Sequence, residues 1–123
     1  MTTALTLVTG STAASREAAI VRHFDPHVSS AFILEGLSSG SGALETLAEE
    51  AGFPLVRVAP ACMCCIGNLT LSVHLNRLLR QHRPASIIIA VASTEHIEQL
   101  RSFLESTSYQ GLLSLTPIVQ ADE

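Results

Sequence analysis

Residues 86–92 read Ser-Ile-Ile-Ile-Ala-Val-Ala, the most apolar run of the chain. None of these residues is charged, and only the first is polar. Side chains alternate across an extended segment, so such a strand has no face suited to water. A strand buried on both faces belongs in the middle of a parallel sheet, with helices packed on either side. The flanks agree with that reading. Pro84 stops whatever precedes the run, and Ser93 or Thr94 can cap a helix after it. That helix carries Ile97, Leu100 and Leu104 on one stripe.

The same alternation extends in both directions. "LTLVT" (5–9), "AFILE" (31–35), "LVRVA" (55–59) and "LSLTPIVQ" (113–120) read as further strands. Pro117 puts the last of these at an edge or a bulge. Between them lie helical stretches at about 15–24, 43–52 and 69–82. Gly52 is placed to stop the second and Pro84 the third. In the third, Leu71, Leu75, Leu78 and Leu79 form a stripe. Arg77, Arg80, His82 and Arg83 crowd its end, where cations suit the helix dipole. Strands alternating with helices imply parallel pairing through right-handed crossovers. The expected object is one three-layer α/β domain, with a mostly parallel sheet of about five strands.

Bulk properties fit a single domain. The chain has 123 residues, 47% hydrophobic and 15% charged, with mean hydropathy +0.38. Aromatics are 4%, so aliphatic side chains and alanine must fill the core. The net charge of -4, without a basic stripe interleaved with aromatics, speaks against nucleic-acid binding. No apolar run approaches a membrane span, and no basic residue precedes the first apolar run as in a signal peptide. All three cysteines fall within four positions, which gives no even disulfide framework. A reducing cytoplasm is the expected location.

In folds of this class, ligands bind at the carboxyl ends of strands. Residues 9–16, 35–42 and 59–68 are the loops in that place. A phosphate loop at the first would read GxxxxGK[ST]: glycines for close backbone approach, lysine for the outer phosphates, a hydroxyl for Mg²⁺. Gly10 matches the first glycine. Ser15 replaces the second, Arg16 the lysine and Glu17 the hydroxyl residue. Glu17 could ligate Mg²⁺, but its charge opposes a triphosphate. The other reading is an ordinary strand-to-helix turn with a serine cap.

The third loop contains "ACMCC", with Cys62, Cys64 and Cys65 just before a helix. A helix N-terminus lowers thiol pKa, and soft thiolates select Zn²⁺ or Cu(I). Zinc would need a fourth ligand, from water or a second subunit. His74 is too far along the helix to serve well. The other reading makes the three cysteines small hydrophobic side chains. The five histidines show no metal-site spacing and read as surface or helix-end residues.

Taken together, these residues resemble the CobW-like family of P-loop GTPases, many of which are metallochaperones or metal-insertion proteins. "TGSTAASREA" (9–18) stands where the family has roughly TGFLGAGKTT. "ACMCC" (61–65) matches the family's GCxCC, with Ala61 for the glycine. A leucine-rich helix follows in both, and Glu35 aligns with a family switch glutamate. The family's ExxG corresponds to Ala90, Val91, Ala92 and Ser93, without its acid and glycine. The resemblance implies a half-domain of the family's P-loop fold, truncated before the guanine-specifying segment and the C-terminal domain. It implies a soft metal ion such as Zn²⁺ held by Cys62, Cys64 and Cys65, no GTP hydrolysis, and no GTP as resident cofactor. Two further readings stand beside it. One is weak nucleotide binding through Gly10, Ser15 and Arg16. The other is a non-catalytic module whose exposed sheet edge is covered by a homo-oligomer or a protein partner.

Overall fold

The computed structural model describes residues 2–36, 42–58, 69–92, 97–105 and 111–121. Six strands and four helices alternate along them. β1 (Thr3–Thr9) leads to α1 (Ala13–His23), β2 (Ser30–Glu35), α2 (Ala43–Ala51) and β3 (Leu55–Val58). α3 (Leu69–Gln81), β4 (Ser86–Val91), α4 (Ile97–Leu104), β5 (Leu113–Leu115) and β6 (Val119–Gln120) follow. Every strand pairing is parallel, in the order β3-β2-β4-β1-β5, with β6 also on β1. "SIIIAVA" is thus a central strand, between β2 and β1.

Side-chain alternation builds the layers. Leu5, Leu7, Ala31, Ile33, Ile87, Ile89 and Val91 point to one face, against Leu71, Leu75 and Leu78 of α3 and Leu100 and Leu104 of α4. Val8, Phe32, Leu34, Ile88 and Ala90 point to the other, against Ala19 and Ile20 of α1 and Leu44 and Ala48 of α2. Two helices on each face of one sheet make the three-layer fold. Fully buried aliphatic side chains stabilise it by about 1.5–3 kcal/mol each. At one end of the sheet, Phe24 packs edge-on against Phe32 and Phe53, with ring centroids 5.4 and 5.7 Å away.

The breaks fall where backbone chemistry demands. Gly52 ends α2 in the left-handed region at φ 76°, and its N–H returns to α2 carbonyls. Arg83 caps α3 at φ 44°, with its N–H on the Leu78 carbonyl, and Pro84 follows. The run 113–120 forms two short strands rather than one. The chain leaves the ladder around Pro117, which has no N–H to give, and β6 rejoins β1 beyond it. The described part of the strand expected over 55–59 runs Leu55–Val58, and the strand expected over 86–92 ends at Val91. The expected caps of α4, Ser93 and Thr94, lie outside the described residues, as does Ala59.

Candidate functional site

A wholly parallel sheet gathers the carboxyl ends of its strands on one rim. β1 feeds α1 on one face and β4 feeds α4 on the other, and the two strands are neighbours. The crevice between their ends is the topological switch point, where folds of this class hold ligands.

Arg16 reaches into this crevice from the first turn of α1. Its side chain is buried, at 4% exposure. Nη1 donates to the Gly10 carbonyl at 2.8 Å, just past β1, and Nη2 to the Glu35 carbonyl at 3.1 Å, at the end of β2. Because β4 lies between those strands, the guanidinium crosses over its carboxyl end. Two glycines make room for it. A Cβ on Gly10 would come within 2.9 Å of Ser15 Oγ and 3.1 Å of Arg16 Cγ. A Cβ on Gly36, at φ 116°, would lie 3.3 Å from Arg16 Nη2. Glu35, 3% exposed, accepts the Ala92 N–H on Oε1 at 2.7 Å, a charge-assisted bond that ties β2 to the exit of β4.

The start of α1 is closed by its own side chains. Thr12, not a serine, is the N-cap. Its Oγ1 accepts the Ser15 N–H at 3.0 Å, and Ser15 Oγ accepts the Thr12 N–H at 3.4 Å, a reciprocal capping box. The Arg16 N–H goes to the Thr12 carbonyl at 3.1 Å. Three of the amides around the start of α1, those of Thr12, Ser15 and Arg16, therefore have internal partners.

Glu17 faces away from this crevice. It forms a two-pronged pair with Arg57 of β3: Nη1 to Oε2 at 3.0 Å and Nη2 to Oε1 at 3.1 Å. Arg57 Nη2 also meets Glu45 of α2 at 3.0 Å. One cation thus clamps α1, β3 and α2 together. The hydrogen bonds that Arg57 donates to Glu17 raise the Arg57 pKa above its ordinary value, against the opposing cost of burial. Glu17 therefore serves this clamp rather than the Mg²⁺ role its alignment allowed.

Sequence reasoning missed this clamp and His74. The clue to the first was an arginine inside an apolar strand, which requires a partner. Glu17 is separated from it by 40 positions, and nothing local connects them. His74, expected at the surface, has its Nδ1 buried without a hydrogen-bond partner among the described residues. Burial and then the charge of Arg77 hold its pKa below 6.5, so the ring favours neutrality.

Of the expected site residues, Gly10, Ser15 and Arg16 come together at the crevice. Cys62, Cys64 and Cys65 lie outside the described residues. Among the described residues, no three His, Cys, Asp or Glu side chains are grouped to hold a metal ion. No described helix is long and apolar enough to cross a membrane. A cleft of about 280 Å³ under α1, lined by Ala4, Thr6, Ile20, Ser30 and Ser86, lies towards the amino ends of the strands, away from the rim.

Comparison with known proteins adds an independent observation. The chain is 28% identical over 112 residues to the Zinc chaperone YeiR of Escherichia coli (strain K12). The similarity covers 89% of this chain and 34% of that protein. It supports a CobW-like relationship. The chain spans about a third of that relative's length. No protein-family model matches the chain, and no solved structure matches it.

Proposed function

We propose that this chain is a CobW-like protein that holds a soft metal ion, zinc foremost, through Cys62, Cys64 and Cys65, without hydrolysing GTP. The similarity to a zinc chaperone, running through 89% of the chain, is the observation that carries this reading. The sequence supplies the chemistry: three thiols in four positions between β3 and α3, the residue type that selects zinc over hard cations. The absence of hydrolysis is supported by how the first loop spends its groups. Arg16 bonds the Gly10 and Glu35 carbonyls, Ser15 completes the cap of α1, and Glu17 pairs with Arg57. Phosphoryl transfer needs such groups aimed at the phosphates and their metal ion. Nucleotide binding through Gly10, Ser15 and Arg16 would require the capping box and both Arg16 bonds to open first.

Elemental analysis of protein purified without chelator, under reducing conditions, tests the metal reading. About one zinc per chain is expected. Competition against a zinc-responsive dye should weaken in each of Cys62→Ser, Cys64→Ser and Cys65→Ser. Metal-free protein whose three variants compete no differently from wild type would overturn it. GTP with Mg²⁺ should give neither turnover nor a thermal shift.

A further inference from the structure

α3 turns Leu71, Leu75 and Leu78 towards the sheet and leaves a different surface outside. Val73, Asn76, Arg77, Arg80 and Gln81 line a groove of about 300 Å³ there. Val73 is 50% exposed, one of two large apolar side chains so exposed among the described residues. Val73, Arg77 and Gln81 stand four apart, as do Asn76 and Arg80. These are two ridges with a channel between them, the shape a ridge of a second helix fills.

The stretch of chain that includes α3 is set apart in charge from the rest of the sequence. None of the eleven acidic residues lies between Ala51 and Thr94, whereas Arg57, Arg77, Arg80 and Arg83 do. Arg57 is paired. Arg77 and Arg80 form no ion pair with any described residue. The exposed carboxylates of α2, Glu49 and Glu50, sit beyond the sheet on its other face, and on the α3 side the exposed carboxylates are those of Glu98 and Glu105 at α4. Attraction to the dipole accounts for Arg80 in the last turn of α3, but Arg77 stands a turn earlier, beside exposed Val73.

We propose that the outer face of α3 docks an acidic amphipathic helix of a protein partner. An aliphatic side chain of that helix covers Val73, and carboxylates three or four residues apart pair with Arg77 and Arg80. The face carries no aromatic side chain on which a base could stack, and the chain as a whole is acidic, so a protein suits it better than a nucleic acid. This inference goes beyond the metal reading and stands without it.

Fluorescence anisotropy on the full 123-residue chain tests it. The probes are a labelled amphipathic Glu/Leu peptide of about 18 residues, long enough for five turns, and its counterpart with Lys for Glu. The Glu/Leu peptide should bind, and more weakly as salt is raised. Its affinity should fall about tenfold or more in Arg77→Glu/Arg80→Glu and about threefold in Val73→Ser. It should hold in Arg22→Glu, a reversal on α1. Circular dichroism checks that each variant is folded. The proposal is overturned if the Glu/Leu peptide fails to bind, or binds the double variant as wild type. It is equally overturned if the Lys peptide, single-stranded DNA or phosphatidylserine vesicles bind as tightly. Self-association of wild type, lost in the double variant, would assign the face to a second copy and overturn it too.

Discussion

Arg16 and Arg77 both sit on helices that flank the sheet, yet they meet opposite fates. Arg16 is 4% exposed, and two main-chain carbonyls hold its guanidinium at the switch crevice. Arg77 is exposed, with no carboxylate partner among the described residues. The position in which folds of this class present a cation to a ligand is here held by the protein's own backbone. Arg77 and Arg80, on the outside of α3, are among the exposed cations left to meet another molecule. A residue type in a motif position is therefore a weak guide to chemistry until its partners are known.

The sharpest way to break this contrast is to remove the buried arginine. Arg16→Ala leaves the Gly10 and Glu35 carbonyls short of a donor and a void beside two glycines. It should cost about 2–4 kcal/mol by urea unfolding. A loss under about 1 kcal/mol would mean that the guanidinium does not fasten β1 to β2. Arg57→Ala should cost somewhat less, about 2–3 kcal/mol, because Arg57 retains 21% exposure while Glu17 is left buried and unpaired. A double-mutant cycle with Glu17→Gln should show coupling above about 1 kcal/mol. The half-exposed Glu45 should contribute well under 1 kcal/mol in the same format, about the level of a surface pair.

His74 lies between the two extremes and gives a pH test. Its folded pKa is below 6.5 because burial and Arg77 disfavour the charged ring. The unfolded chain therefore binds more protons in that window, and stability rises with pH. Its contribution is complete above pH 6.5 and is lost as pH falls through the lower folded value. His74→Gln should flatten this part of the stability profile. An unchanged slope would assign the titration to another group. The smallest effect belongs to the exposed arginines: Arg77→Ala and Arg80→Ala should each shift stability by no more than about 0.5 kcal/mol.

The sequence exposed the elements whose hydrophobic period is local and strong. "SIIIAVA" and "AFILE" could only be buried strands, and the leucine stripe of α3 could only face a core. Pro117 marked the weak point of the last strand because its missing N–H acts wherever it sits. Longer-range facts were not legible. The order of strands depends on which apolar faces meet, and Arg57 finds Glu17 only after α1 has crossed the sheet. Arg16 shows the same limit at the candidate site. Its alignment with a phosphate-binding lysine was visible, but whether it points out to a ligand or in to two carbonyls is decided by Gly10 and Gly36, which sit 26 positions apart in the sequence.

The position of β1 has a consequence for how the molecule is made. Among the described residues, β1 pairs with β4, β5 and β6, all formed by residues from Ser86 onward. A ribosome adding roughly 5–20 residues per second leaves this apolar segment waiting several seconds for its neighbours. An unpaired strand is an invitation to aggregate, and Thr3, Thr6 and Thr9 interrupt it with hydroxyls at every third position. In the finished fold two of these find partners, Thr3 on the Pro84 carbonyl and Thr6 on the Thr116 hydroxyl. The same side chains that keep the nascent segment wettable thus become ties to segments synthesised later.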